Sequence, residues 1–407
     1  MIEIAAAEDL IRQHCGQLAA IEVALPHAAG HVLAEPLTSD IDSPPFDKAM
    51  MDGFAIRAAD FAGGQREFPY LHRIMAGADH QRELQPGTAV AIMTGAPIPV
   101  GADAVIMVEQ TRTTDQTGSP RVTIMASQCQ PGQNIMPRAT AMSRGQLIKP
   151  PGGVIEPHEI GILAEAGVDR CRVIPRPVLA IVATGDELVP VNQRPDGSRI
   201  RNSNGPMIAA MAGPFCRSVR DLGIARDDAS SLREKIRDGL QSGLLVLSGG
   251  VSAGKADLVP GILDELGVVR VFHKVAIKPG KPIWFGVHTP DQGPAIPVFG
   301  LPGNPVSSMC CFHLFVRRAL RQLAGIESGT ETVEAVLTVA HRQRGGRTTF
   351  WPSRLMSGSG SGPQVRPLDW KGSADLLTLA HANALAVFDG QREQFAAGEA
   401  VPVVSLV

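Results

Sequence analysis

The sequence predicts a multidomain α/β plus β fold. Three observations carry that expectation. At 407 residues the chain is too long for one ordinary core, so two to four domains are expected. From Val178 to about Ala324, apolar runs of strand length alternate with helical patterns, the rhythm of a doubly wound sheet. On either side, short β-branched runs are broken by Gly and Pro, which suits small β-rich units.

Taken in order, residues 1 to about 40 read as helical, with alanine-rich amphipathic segments. From Ser43 to about Cys129 the runs Ala89 to Met93 and Ala104 to Val108 read as short strands. A helix is expected over Glu156 to Ala166, returning to the first segment. Val178 to Ala183 is continuously apolar, as a central parallel strand should be. After Ile326 the runs Val333 to Ala340, Ala384 to Phe388 and Val401 to Val407 read as a separate β domain. Gly358 to Gly362 reads as a Gly/Ser turn.

The most informative stretch runs from Leu244 to Pro305. The strand-like Leu244 to Leu247 empties into Ser248-Gly249-Gly250, and a helical pattern follows from about Ala256 to Leu266. Small residues there let a ligand approach the backbone. The following helix aims free N–H groups at an anion. Lys278 and Lys281 sit on a loop stiffened by Pro279, Gly280 and Pro282. A strand over Pro297 to Phe299 ends in Gly300-Leu301-Pro302-Gly303-Asn304-Pro305, before a long helix. Three such loops beyond strand ends fit an open α/β sheet that binds something phosphorylated. Gly249 to Lys255 has P-loop spacing, but Ala256 stands where Ser or Thr must hold magnesium, so the NTPase reading is set aside.

Charge is balanced, with 38 Lys and Arg against 40 Asp and Glu, so nothing favours nucleic acid or an anionic membrane as partner. Any anion site must be local. The 6 cysteines show no C-x-x-C spacing and read as reduced thiols of a cytoplasmic protein. The segment MIEIAAAEDLIRQH reads as an acidic helix, not a signal peptide. No run of about 18 apolar residues suggests a membrane span.

Several carboxylates have two readings. Asp52 lies in a turn and by itself reads as a turn residue. Asp186 and Glu187 follow a strand end; Asp186 reads as a helix N-cap and Glu187 as functional. Asp257 either favours a helix dipole or ligates magnesium. Asp221 reads equally as a site residue or a strand-end turn. His27 and His31 are four apart, but Gly30 and the lack of a third ligand argue against zinc.

SGGVSAGKAD, HKVAIKPGKP and VFGLPGNPVS resemble the core of the molybdopterin molybdenumtransferase family, to which the gephyrin E domain is similar. SPPFDKAMMDGFA (Ser43 to Ala55), TGAPIPVGADAVIMVE (Thr94 to Glu109), ATGDEL (Ala183 to Leu188) and GSADLLTLAHANAL (Gly372 to Leu385) match in the same order. The resemblance implies an elongated homodimer of four-domain chains. Residues 1–42 and 135–175 would form a discontinuous N-terminal, helical linker domain, with 43–134 inserted as a β-rich domain. Residues 176–326 would be an α/β domain resembling molybdopterin adenylyltransferase, and 327–407 a β-barrel.

The implied reaction inserts molybdate into adenylylated molybdopterin with Mg2+ and releases AMP. Molybdopterin adenylyltransferase is an implied partner. Asp52, Glu187 and Asp257 would be catalytic, the last two at the metal. Thr94, Asp221, Ser248, Gly249, Gly250, Ser252, Pro302, Gly303 and Asn304 would bind substrate. Lys278, Lys281, Arg347 and Ser373 would surround the oxyanion. The chain departs from the family at Ala139-Thr140-Ala141, where Gly-Glu-Asp is usual, at Ala49 for serine, and at Asn202 for aspartate. Those losses keep two other readings in view: a weakened copy that binds pterin or molybdate or scaffolds a partner, and a tungstate-specific transferase.

Overall fold

Val178–Thr184, Leu244–Ser248 and Ile296–Leu301 are apolar and buried over nearly their whole length. Strands buried on both faces belong at the centre of a layered sheet. In the computed structural model they form a six-stranded sheet in the order Ser218–Ala225, Val178–Thr184, Leu244–Ser248, Ile296–Leu301, Trp284–His288, Val268–His273. The structure describes residues 1–77, 83–116, 119–250, 258–326, 332–358 and 362–406.

The first four strands of that order are parallel, and the pairings to Trp284–His288 on either side are antiparallel. The doubly wound sheet is therefore mixed at one end. The connection 289–295 is too short for the crossover of about a dozen residues that parallel neighbours need. One face is covered by a helical run, Pro305–Cys311, a π turn over Phe312–Val316, and Arg317–Leu323. The long helix expected after Asn304 is this run.

Only Ile4–His14 of the first 40 residues is a long helix. It buries Ala7 and Ile11 in the same core as Leu320 and Leu323, on the α/β unit. Beyond it the helical reading fails. Ile21–Ala24 and Val32–Leu33 flank Arg170–Ile174 in a three-stranded antiparallel sheet. Pro26 and Gly30 interrupt any helix there, and pairing with a distant strand overrides the alanine-rich composition. His27 lies in a single 3-10 turn, so it shares no helical face with His31.

A second six-stranded sheet runs Ala104–Met107, Gly53–Ile56, Ala89–Ile92, Glu67–Ile74, Ser119–Ile124, Thr111–Gln116. Its alternation is legible in Gly53–Ile56. Phe54 and Ile56 enter one core with Phe68 and Val122, and Ala55 enters the opposite one with Val90 and Val105. In the C-terminal region Thr348–Met356, Gln364–Pro367, Thr332–Leu337, Ala400–Ser405 and Ala384–Phe388 pair in turn. Thr348–Met356 also pairs with Ala384–Phe388, which closes the barrel.

The segment that departs from the family is built without excess charge. Arg138 donates to Asp42 at 2.6 Å, and its backbone N–H donates to Asp47 at 2.7 Å. Ala139 adopts a φ of 60°, a left-handed conformation that costs an L residue roughly 1–2 kcal/mol. Glycine would remove that cost but lose more entropy on folding. Ala139→Gly should therefore stabilise the protein by about 0.5–1 kcal/mol, read as a higher urea midpoint with unchanged slope.

Candidate active site

The carboxyl ends of the three central strands open into one cleft of about 790 Å³. Thr184, Ser248 and Pro302 mark the three ends, as expected for an open α/β sheet. Gly249 and Gly250 have φ of 95° and 63°. A Cβ on Gly250 would lie 2.7 Å from both Thr184 Oγ1 and Val259 Cγ2, so this glycine is required by the fold itself. Gly303 differs. Among the described residues a Cβ there would meet only Gly249 Cα, at 3.9 Å, and Gly303 lines the cleft.

Asn204 ties the two glycine loops together. Its buried amide donates to Ser248 Oγ at 2.9 Å and to Gly303 O at 2.8 Å. Its Oδ1 is buried without a partner, an acceptor left open at the cleft wall. Glu187 lines the same cleft, and Gly185 makes room for it. A Cβ on Gly185 would stand 2.4 Å from Glu187 Oε2. Asp186 caps no helix, because Leu188–Val189 follows as a strand. Instead Asp186 and Asp227 exchange backbone-to-carboxylate hydrogen bonds at 3.4 and 3.3 Å. Asp227 also lines the cleft.

A second, basic pocket of about 400 Å³ adjoins the first and shares Pro282, Pro302 and Asn304 with it. It brings together Lys278, Lys281, Arg347 and Ser373, and adds Lys371. Among the described residues no carboxylate lines it. Ile277–Lys278 leaves the α/β unit to pair in parallel with Thr348–Thr349 of the barrel. Arg347 then donates from Nη1 to Ile277 O at 2.9 Å. The lysine loop packs down on the helix below, where a Cβ on Gly280 would lie 2.6 Å from Cys311 Sγ. Burial and the nearby charge of Lys278 push the His341 imidazole down to about 4, so it adds no further cation near neutral pH.

The 370s loop that carries Ser373 and Lys371 is tethered by Asp375. Its carboxylate accepts from Thr378 N at 3.1 Å, Thr378 Oγ1 at 2.6 Å and Lys371 N at 3.1 Å. The Thr378 hydroxyl first, and then these backbone N–H groups, hold its carboxyl down to about 2. A depressed carboxylate stabilises above its unfolded value, so this tether is complete near neutral pH and lost as pH falls through about 2. Asp375→Ala should weaken oxyanion binding in the basic pocket severalfold in a calorimetric titration, and Asp375→Asn should do so less.

Some expected residues lie elsewhere. Asp52 and Thr94 meet each other but line neither pocket. Asp52 Oδ1 accepts from Thr94 N and Thr94 Oγ1, both at 2.7 Å. These bonds, the backbone one first, hold the Asp52 carboxyl below its usual range. Asp221 sits in a bulge of the edge strand, bonded to Gly223 N at 2.9 Å, outside the cleft lining. Asp227 is the carboxylate that reaches the cleft from that strand's end, and the reading of the sequence missed it. Only its place just past Ala225, the strand's last residue, could have pointed to it. Lys371, Trp351, Trp370 and Ser307 of the basic pocket were missed as well. Asp257 and Ser252 lie outside the described residues. Among the described residues no group of three or more His, Cys, Asp or Glu could hold a metal ion.

Three family models match this chain in succession: the MoeA N-terminal region (domain I and II) over residues 2–167, a probable molybdopterin binding domain over 180–322, and the MoeA C-terminal region (domain IV) over 334–406. A molybdopterin molybdenumtransferase of Staphylococcus aureus is 34% identical over 95% of this chain and 91% of its own length. One from Synechocystis is 30% identical over 99% of both chains. The crystal structure of a molybdopterin biosynthesis MoeA protein from Pyrococcus horikoshii superposes with a TM-score of 0.83 at 28% identity, covering 100% of this chain and 99% of that one. With its fold, its two adjoining pockets and these relatives in agreement, the chain belongs to the molybdopterin molybdenumtransferase family.

Proposed function

We propose that this chain is a transferase of molybdenum cofactor biosynthesis. It takes adenylylated molybdopterin in the glycine-lined cleft and molybdate in the basic pocket. AMP leaves, and molybdenum remains on the dithiolene. The observation that carries this reading is the shared wall of Pro282, Pro302 and Asn304 between a cleft with carboxylates and a pocket with four cations. Molybdate is a tetrahedral dianion, and ammonium and guanidinium groups with the Ser373 hydroxyl suit its charge and shape. Holding both substrates on adjoining rigid loops lowers the barrier by positioning, with no covalent intermediate on the protein.

Glu187 and Asp227 face the cleft without a cationic partner among the described residues. Such oxygen donors fit Mg2+, which binds through one or two carboxylates plus substrate phosphates. When bound, Mg2+ would neutralise charge on the phosphate being released. Asp257 remains a proposed third ligand. Asp52 is proposed to act from the partner of a homodimer. The support is its place on the inserted sheet, outside its own chain's pockets, with Met50, Met51 and Val108 exposed around it. The four-part division at residues 43, 135, 176 and 327, a cytoplasmic setting and an encounter with molybdopterin adenylyltransferase belong to the same proposal. No helix among the described residues is long and apolar enough to cross a membrane.

A binding protein without turnover is the second reading. Asn202 favours it, because it lines the cleft without the family's negative charge. Its Oδ1 still accepts from Gly205 N at 3.0 Å, so the backbone there is held as an aspartate would hold it. Purified protein given adenylylated molybdopterin should release AMP when molybdate is added. Tight pterin binding with no AMP release would establish the second reading instead.

A further inference from the structure

The barrel carries another groove, of about 570 Å³, that the proposed transfer does not use. Val339, His341, Arg354, Met356, Arg366 and Leu368 line it. Arg354 and Arg366 stand directly opposite each other, on antiparallel Thr348–Met356 and Gln364–Pro367. Like charges in that register are destabilising. Exposed arginines elsewhere find carboxylates, as Arg233 does in Glu265 and Arg392 in Glu399. Neither Arg354 nor Arg366 makes an ion pair or side-chain hydrogen bond among the described residues, although Asp369 also borders the groove.

The inner wall supplies no counter-charge. His341 stacks on Phe388 at 4.0 Å and meets Trp351 edge-on at 4.4 Å, and its Nε2 is buried without a partner. Trp351 belongs to the basic pocket and donates its indole N–H to Leu368 O of the groove at 2.8 Å. The groove and the basic pocket are thus back to back across two aromatic rings. Two cations against apolar walls attract an anion more strongly than the same charges fully in water.

We propose that this groove binds a phosphate-class oxyanion, held between the Arg354 and Arg366 guanidiniums. Each planar guanidinium offers paired N–H donors, and together they match a tetrahedral dianion. Val339, Met356 and Leu368 would add contact with the apolar body of a phosphomonoester. The bound anion would relieve the repulsion built into the ladder.

Calorimetric titration of the full-length protein at low ionic strength tests this, with inorganic phosphate and phenyl phosphate as probes. Lys281→Ala serves as the background, so that the basic pocket responds weakly. Arg354→Gln and Arg366→Gln should each weaken phenyl phosphate binding about tenfold or more. Tighter binding of phenyl phosphate than of phosphate assigns the groove to a phosphomonoester, and equal binding assigns it to the free ion. In the wild-type background both glutamine variants should keep wild-type AMP release at saturating substrates. In phosphate-free buffer Arg366→Glu should raise the unfolding temperature by ~1 °C, because repulsion across the ladder becomes attraction. Unaltered probe binding in the double glutamine variant, or no rise for Arg366→Glu, would overturn the proposal.

Discussion

Alanine in place of Lys278, Lys281 or Arg347 is expected to raise the molybdate concentration for half-maximal product about tenfold to hundredfold. A hydrogen bond to a charged group contributes roughly 1.5–3 kcal/mol, which is that range. The three residues reach the pocket from two separate units, so Lys278→Ala and Lys281→Ala each remove one contact and leave Arg347 in place. Lys281 is exposed, and its loss should leave folding intact. Arg347 also donates to Ile277 O, so Arg347→Ala should in addition loosen the strand pairing that carries Lys278, and Arg347→Lys should restore little. Excess molybdate should rescue all three. If it rescues none, these cations do something other than hold molybdate.

In the proposed homodimer, Asp52→Asn and Glu187→Gln are each expected to lower turnover about 100-fold or more when both chains carry the change, the scale seen when a charge-stabilising group is lost from an active site. Asn at position 52 keeps the oxygen that accepts from Thr94, so the local turn should survive. Gln at 187 still fits the space that Gly185 leaves. Mixed dimers with one chain of each type should regain activity. One of their clefts then combines the intact Asp52 of one chain with the intact Glu187 of the other, while the second cleft lacks both. Inactive mixed dimers, with chain exchange verified, would remove Asp52 from the partner's cleft.

The centre of the sheet was legible because Val178–Thr184, Leu244–Ser248 and Ile296–Leu301 are apolar and end in glycine loops, a pattern that needs no long-range information. Ala384–Phe388 of the barrel was legible for a similar reason, since it is a short apolar run. The first 40 residues were misread because Ile21–Ala24 becomes a strand only by pairing with Arg170–Ile174. No local signal announces such a partner. The antiparallel end of the central sheet was hidden in the length of the connection 289–295 rather than in the strands themselves.

Within the site, Lys278, Lys281, Arg347 and Ser373 were named from motif resemblance, and the structure brings them together in one pocket. Asp221 was named and Asp227 missed, because the strand runs on past Asp221 to Ala225 and it is Asp227, beyond its end, that lines the cleft. Lys371 was missed because an exposed lysine carries no pattern of its own. It enters the pocket through the turn fixed by Asp375 and by Trp370, whose indole N–H donates to Gly372 O at 2.5 Å.

In the proposed reaction two adjoining pockets hold two different substrates. The most direct measurement is the rate of AMP release over a grid of molybdate and adenylylated molybdopterin concentrations, for wild type, Lys281→Ala and Gly303→Val. Gly303 has no left-handed φ, and among the described residues its Cβ would meet only Gly249 Cα at 3.9 Å, so valine there should narrow the cleft and spare the fold. Molybdate alone should rescue Lys281→Ala, and only added pterin substrate should rescue Gly303→Val. Rescue of Gly303→Val by molybdate, or failure of molybdate to rescue Lys281→Ala, would contradict the proposed reaction.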